Sequence, residues 1–271
     1  MTPASIPVPV PVAETGPALV VEGLRKEFPA RSRGGKAVVA VDDVGFTLER
    51  GGSLAVVGES GSGKTTTARI VAGLERATSG TVSVAGSSSG TSRPVQMVFQ
   101  DPFASLDPRQ RIGAGLTELL RVRIGLSRAA AGERAVGLLA EVGLDEQHAA
   151  RLPRDLSGGQ RQRVAIARAL ALEPEILILD EAVAALDVSV QAQVLNLLSD
   201  IRERTTVAFL FVSHDLAVVR QVTDHCLVMR GGRVVEQGRT ADVLDHPQDP
   251  YTQELLDAVP RPGWHPRRRR A

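Results

Sequence analysis

Cysteine is all but absent from the 271 residues; the single Cys226 sits inside an apolar stretch. One thiol makes no internal disulfide and no cysteine-clustered metal or iron–sulfur site, so a reducing cytosol is its natural setting. Long apolar runs are missing as well. The longest strand-like ones match Val207 to Val212 in length, far below the roughly 18 residues that a membrane-crossing helix needs. Any membrane must therefore be supplied by other chains. Net charge is only +1, with acids and bases interspersed, so no overall field favours nucleic acid as a partner. The local exception is Arg267 to Arg270. Residues 1–17 carry Pro3, Pro7, Pro9, Pro11 and Pro17 and no basic run, and read as a flexible leader rather than a signal peptide. What is present is a 43% hydrophobic content, enough to bury a full core in one large α/β domain with a subdomain.

Short β-branched runs at Leu19–Val21, Val38–Val41, Leu54–Val57, Val95–Phe99, Ile176–Leu179, Val207–Val212 and Leu227–Met229 predict strands, several of them buried on both faces. Helical patterns lie between many of them: Lys64–Leu74 after a Gly-rich turn, Ser189–Arg204 with an apolar stripe at Val190, Val194, Leu197 and Ile201, and Leu216–Val222 behind Asp215 as N-cap. Strands alternating with helices imply a largely parallel sheet. Between Gln100 and Glu173 the strand signal stops, and helical segments near Ile112–Arg123, Arg128–Val142 and Gly159–Leu172 predict a helical insertion, residues 101–173. Gly86–Ser92 reads as a surface loop and Gly231-Gly232 as a hairpin turn.

The segment Gly58-Glu59-Ser60-Gly61-Ser62-Gly63-Lys64-Thr65 fits G-x-x-x-x-G-K-[ST] between a strand and a helix. Its glycines let backbone N–H groups curl around phosphate oxygens, Lys64 reaches the β- and γ-phosphates, Thr65 is a Mg²⁺ ligand, and Thr66 joins the nucleotide-contacting set. The run Ile176–Leu179 ends in Asp180-Glu181. Carboxylates at the C-terminal edge of a buried strand suit a Mg²⁺ partner, Asp180, and a base for the attacking water, Glu181. Leu156-Ser157-Gly158-Gly159-Gln160 opens a helix whose N-terminus suits an anion, with Ser157 also a good N-cap.

With LSGGQ in place, the sequence resembles the ABC ATPase family from about Ala18 to Pro260. The resemblance implies a P-loop NTPase (RecA-like) α/β core with an N-terminal antiparallel β-subdomain and the helical insertion, residues 261–271 forming a basic tail. It implies ATP and Mg²⁺ as cofactors, and a second ATPase subunit whose Ser157–Gln160 equivalent closes over the γ-phosphate. It further assigns Gln100 to sensing Mg²⁺ and the lytic water, Asp187 to communication between subunits, His214 to the γ-phosphate and Phe28 to stacking on adenine.

Two stretches sharpen the match. Gln100–Arg109 and His246–Thr252 resemble segments of the oligopeptide, dipeptide and nickel importer ATPases. The expectation is an ATPase on the cytoplasmic face of the cell membrane that energises peptide-type import through separate permease subunits, with an extracytoplasmic solute-binding protein as an indirect partner. The Pro108-Arg109 ending resembles the second member of paired importer ATPases, which favours a heterodimer. The alternative, a soluble ABC protein acting on nucleic acid or ribosomes through Arg267–Arg270, lacks the coiled coil, zinc modules or second cassette it would need. Two positions depart from the family pattern: Ala182 and Ala184 stand where Pro and Ser are common, which loosens the backbone after Glu181 and removes a hydroxyl from the subunit contact.

Overall fold

The computed structural model describes residues 16–29, 37–86 and 94–258, with only the backbone at Ala104. Most of the leader and of the Gly86–Ser92 loop, and the whole basic tail, lie outside the described residues. In chain order the elements are β1 (Leu19–Phe28), β2 (Val38–Leu48), β3 (Ser53–Val57), α1 (Lys64–Val71), β4 (Ser79–Val84), β5 (Val95–Val98), α2 (Ile112–Arg123), α3 (Arg128–Glu141), α4 (Gly158–Leu170), β6 (Ile176–Asp180), α5 (Val188–Arg204), β7 (Ala208–Ser213), α6 (Leu216–Val222), β8 (His225–Arg230), β9 (Arg233–Arg239), α7 (Thr240–Asp245) and α8 (Pro250–Asp257).

A six-stranded sheet runs in the order β5-β6-β7-β3-β8-β9, parallel except for the antiparallel edge strand β9. A three-stranded antiparallel sheet, β2-β1-β4, stands beside it. The two-residue period of a strand splits the central strands between two cores. Ala55, Val57, Leu177, Leu179, Phe209 and Phe211 face one core with Leu116, Leu138, Ile166, Val194 and Leu198 of the helices. Leu54, Val56, Ile178, Leu210 and Leu227 face the other, closed by Ala68 and Ile70 of α1 and by Leu24, Val44 and Phe46 of the antiparallel sheet. Strands buried on both faces cannot alternate polar and apolar residues, which is why they read as continuous runs. The α5 stripe is seen at Val194, Leu197 and Ile201, all buried, with Val190 half-buried.

One helix ends earlier than expected, and two elements form where no pattern predicted them. Helix α1 stops at Val71 rather than Leu74 because Gly73, at φ 69°, turns left-handed; its N–H donates to Ile70 O (3.0 Å) and that of Leu74 to Arg69 O (2.8 Å). Strand β4, Ser-Gly-Thr-Val-Ser-Val, carried no strand signal, since an exposed strand at the sheet's edge needs little apolar content. Part of the His246–Thr252 stretch is helical: Asp249 caps α8 by accepting the Tyr251 N–H (2.8 Å), and Pro250 occupies its first position. The predicted turn holds, with Gly231 and Gly232 at φ 56° and 86° between the paired Arg230 and Arg233. Among the described residues no helix is long and apolar enough to cross a membrane.

Phe209 is among the largest fully buried side chains, its ring 5.9 Å from Phe211 in edge-on contact. Phe209→Ala is expected to cost about 3–5 kcal/mol of stability, read as a lower urea midpoint with an unchanged slope; an unshifted midpoint would place the core elsewhere.

Candidate functional site

The Gly58–Thr65 loop leaves β3 at the carboxyl end of the central sheet, and three of its residues take φ values that favour glycine: Gly58 (145°), Gly61 (81°) and Gly63 (104°). Two of them are also sterically required. A Cβ on Gly58 would lie 2.2 Å from Met229 O, and one on Gly63 2.4 Å from Ala40 O. The loop is thus pressed against β8 and β2, with its open side at Gly61, where a Cβ would meet nothing within 4 Å.

Lys64 lies at the loop's centre. Its ammonium donates to Gly58 O and Glu59 O, both at 2.8 Å, and only 5% of the residue is exposed. Burial pulls its pKa below the ordinary lysine value, against the opposing pull of the Glu181 and Asp180 carboxylates. Thr65 Oγ1 donates to Asp180 Oδ1 (3.1 Å), which joins the start of α1 to the end of β6. Asp180 is 7% exposed, and burial raises its pKa more than the Thr65 bond lowers it. One residue on, Glu181 sits at φ 48°, its N–H donating to Val212 O (2.9 Å). Its Oε1 lies 3.3 Å from His214 Nδ1 at the end of β7. Ala184 N–H closes the turn onto Glu181 O (3.0 Å), so Ala182 and Ala184 flank the Glu181 backbone. Adjacent parallel strands β5, β6 and β7 therefore bring Gln100, Asp180–Glu181 and His214 to one edge beside the loop, with Gln100 exposed.

The other predicted residues stand apart from this edge. Ser157 caps α4, its Oγ accepting the Gln160 N–H (3.3 Å), while Gln160 Oε1 accepts the Ser157 N–H (2.9 Å). Gln160 Nε2 lies 3.2 Å from His148 Nε2, and His148 Nδ1 lies 3.1 Å from Asp145 O. A single tautomer satisfies both contacts, the neutral ring with its proton on Nδ1. The Gln160 side chain is thus spent within its own subdomain, whereas Ser157 and Gly158 are exposed and the hydroxyl proton of Ser157 stays available to an acceptor. Gly159 is buried against α5: a Cβ there would lie 2.2 Å from Val190 Cγ1. Asp187 caps α5 through the Val190 N–H (3.0 Å) and accepts from Ser189 Oγ (2.8 Å), bonds that lower its pKa. Phe28 ends β1 at 37% exposure, one face covered by Lys26 Nζ 4.8 Å from the ring centroid. Cys226 is inert, its thiol pushed up to about 11 by burial.

Two contacts went unread in the sequence. The Arg161 guanidinium stacks 3.9 Å from the Phe103 centroid, joining the segment after Gln100 to the first turn of α4. Tyr251 Oη accepts the Glu59 N–H (3.1 Å), bringing the C-terminal segment to the phosphate loop. Partners 192 positions apart leave no local signal in a sequence.

A phosphate loop between a doubly buried parallel strand and a helix, facing carboxylates at the end of a nearby strand, defines a P-loop nucleotide-binding domain. Residues 41–184 match the family described as ABC transporter, and residues 235–271 that described as oligopeptide/dipeptide transporter, C-terminal region. The chain belongs to the ABC transporter ATP-binding family. It is 43% identical to the dipeptide transport ATP-binding protein DppF of Escherichia coli (strain K12), covering 94% of this chain and 80% of that one. It is 46% identical to the glutathione import ATP-binding protein GsiA of Salmonella typhi over 92% of its own length, but spans only 42% of that protein. Among solved structures, cbiO1 from Clostridium perfringens, part of the ABC transporter complex cbiONQ, aligns with a TM-score of 0.72 at 27% identity, covering 85% of this chain and 91% of that one. The ATP-binding cassette MJ0796, dimeric in a post-hydrolysis state bound to ADP and Pi, aligns at 0.70 and 27%, covering 82% and 98%.

Gly159→Ala is expected to lower the melting temperature, because the added carbon collides with Val190. Val190→Ala in the same chain should recover much of the loss, since Val190 Cβ itself lies at a tolerable 3.6 Å. Strictly additive effects of the two changes would refute the contact as the cause.

Proposed function

We propose that this chain binds and hydrolyses ATP as the energising subunit of an importer for short peptides. The observation that carries the proposal is that the Thr65–Asp180 pair (3.1 Å) and the Glu181–His214 pair (3.3 Å) stand at one sheet edge beside Lys64, whose ammonium is held by the loop's own Gly58 carbonyl (2.8 Å). Lys64 neutralises the β- and γ-phosphates, and the N–H groups of Ser60 to Thr66 line the remaining oxygens, reinforced by the dipole of α1. The open side of the loop at Gly61, where a Cβ would meet nothing within 4 Å, leaves room for such a ligand. Glu181 is held towards His214 and one residue beyond the Asp180–Thr65 pair, where it takes the proton of a water aimed at the γ-phosphate; His214 keeps that carboxylate aimed.

The Thr65 hydroxyl and Asp180 carboxylate, 3.1 Å apart, form an oxygen donor set that suits Mg²⁺, with Gln100 as a further oxygen. When bound, Mg²⁺ neutralises charge on the phosphates. Phe28 offers an exposed ring near β2, whose Ala40 lies against Gly63, and is proposed as the adenine platform. Exposed Ser157 and Gly158, with Gly159 behind them, are proposed to close over the γ-phosphate of a facing ATPase subunit, and Asp187 to report closure to that subunit. The names of the DppF and GsiA relatives and the match over residues 235–271 support short peptides as cargo. Permease subunits in the membrane, an external solute-binding protein and a position on the cytoplasmic face follow from that reading, with a second, non-identical ATPase favoured.

Glu181→Gln is expected to retain ATP binding and to lose turnover by about 100-fold or more, measured as phosphate release alongside equilibrium binding. Full turnover in that variant would strip Glu181 of its role.

A further inference from the structure

We propose that Tyr251, in the C-terminal segment, is a positioning residue for the phosphate loop that acts through Lys64; the inference rests on the ATP-binding reading above. The connection runs through a single peptide unit. The Glu59 N–H donates to Tyr251 Oη (3.1 Å), and the Gly58 carbonyl of the same unit accepts from Lys64 Nζ (2.8 Å). In a planar trans peptide these two groups point in opposite directions, so fixing the N–H fixes the direction of the carbonyl. The tyrosine hydroxyl thereby sets where the ammonium rests.

The tyrosine is itself firmly placed. It is 3% exposed, and the Arg230 guanidinium lies 4.6 Å from its ring centroid. Arg230 follows Met229, the residue whose carbonyl abuts Gly58, so the ring and the loop are held against the same end of β8. On the other side the segment is anchored to β9: Glu236 Oε1 accepts the Gln248 N–H (2.8 Å) and Glu236 Oε2 the Asp249 N–H (3.1 Å). Asp249 then caps the helix that carries Tyr251. A carboxylate with both oxygens on backbone donors is a stiff mount. The C-terminal segment accordingly serves as a strut between β9 and the phosphate loop.

The test is Tyr251→Phe, which keeps the ring on Arg230 and removes only the oxygen. Binding of a fluorescent ATP analogue to the full chain gives the dissociation constant and the stoichiometry, with the melting temperature measured in parallel. Loss of one hydrogen bond is expected to raise the dissociation constant about 3- to 10-fold, with stoichiometry and melting temperature close to wild type. A merely structural tyrosine would lower the stoichiometry or the melting temperature and leave the dissociation constant of the surviving sites unchanged; that result overturns the proposal, as does no change in any of the three. If the wild-type chain takes up no analogue, or Lys64→Ala binds it as well as wild type, the ATP-binding reading fails and the inference falls with it.

Discussion

The constraint on which the site depends is the approach of the Gly58 backbone to the Met229 carbonyl, where even a single added carbon would sit at 2.2 Å. Because β3 and β8 are neighbouring parallel strands with Val57 opposite Val228, their ends arrive together, and the loop leaving β3 has to pass over the end of β8. With the loop seated there, the Gly58 and Glu59 carbonyls accept from Lys64 in the middle of the site. The Thr65–Asp180 bond then ties the loop to β6, and β6 and β7 carry Glu181 and His214 to the same edge. The parallel register thus determines the spacing of groups far apart in sequence.

Two charged groups of the site are buried. Burial lowers the pKa of Lys64 and raises that of Asp180, so each group is held where its charged form is disfavoured. Their mutual attraction offsets only part of this. The Gly58 and Glu59 carbonyls on Lys64 and the Thr65 hydroxyl on Asp180 offset a further part of the cost of burial.

Much of this was legible from residues alone, for a physical reason. The strand–loop–helix around Gly58–Thr65 is local: an apolar run, glycines where φ must be positive, and a lysine at the helix start all fall within a dozen positions. Two acids at the end of a buried strand say little alone, since a strand leaving the core usually meets polar residues; Asp180 and Glu181 became readable through their pairing with the phosphate loop, which the Thr65–Asp180 bond joins to that strand. The Ser157 cap likewise depends on a partner three residues away. What stayed hidden depended on tertiary approach. Gly159 was read only as part of an anion-suited helix start but is also needed for Val190 to pack, and Phe103, within the Gln100–Arg109 stretch, supports Arg161. Strand β4 is held by its pairing with β1 rather than by its own composition, and Tyr251 meets Glu59 only because β9 folds the C-terminal segment back over the loop.

Exposed Ser157 and Gly158 and the Lys64 loop belong to separate parts of one chain, and in the proposed function each loop is half of a site that a facing subunit completes. The direct measurement is ATP hydrolysis per chain across a dilution series, with light scattering recording the fraction of dimer in the same samples, alone and with a second ATPase subunit added. Turnover is expected to follow the dimeric fraction and to vanish in samples that are wholly monomeric. Full-rate hydrolysis by a chain shown to be monomeric would contradict it.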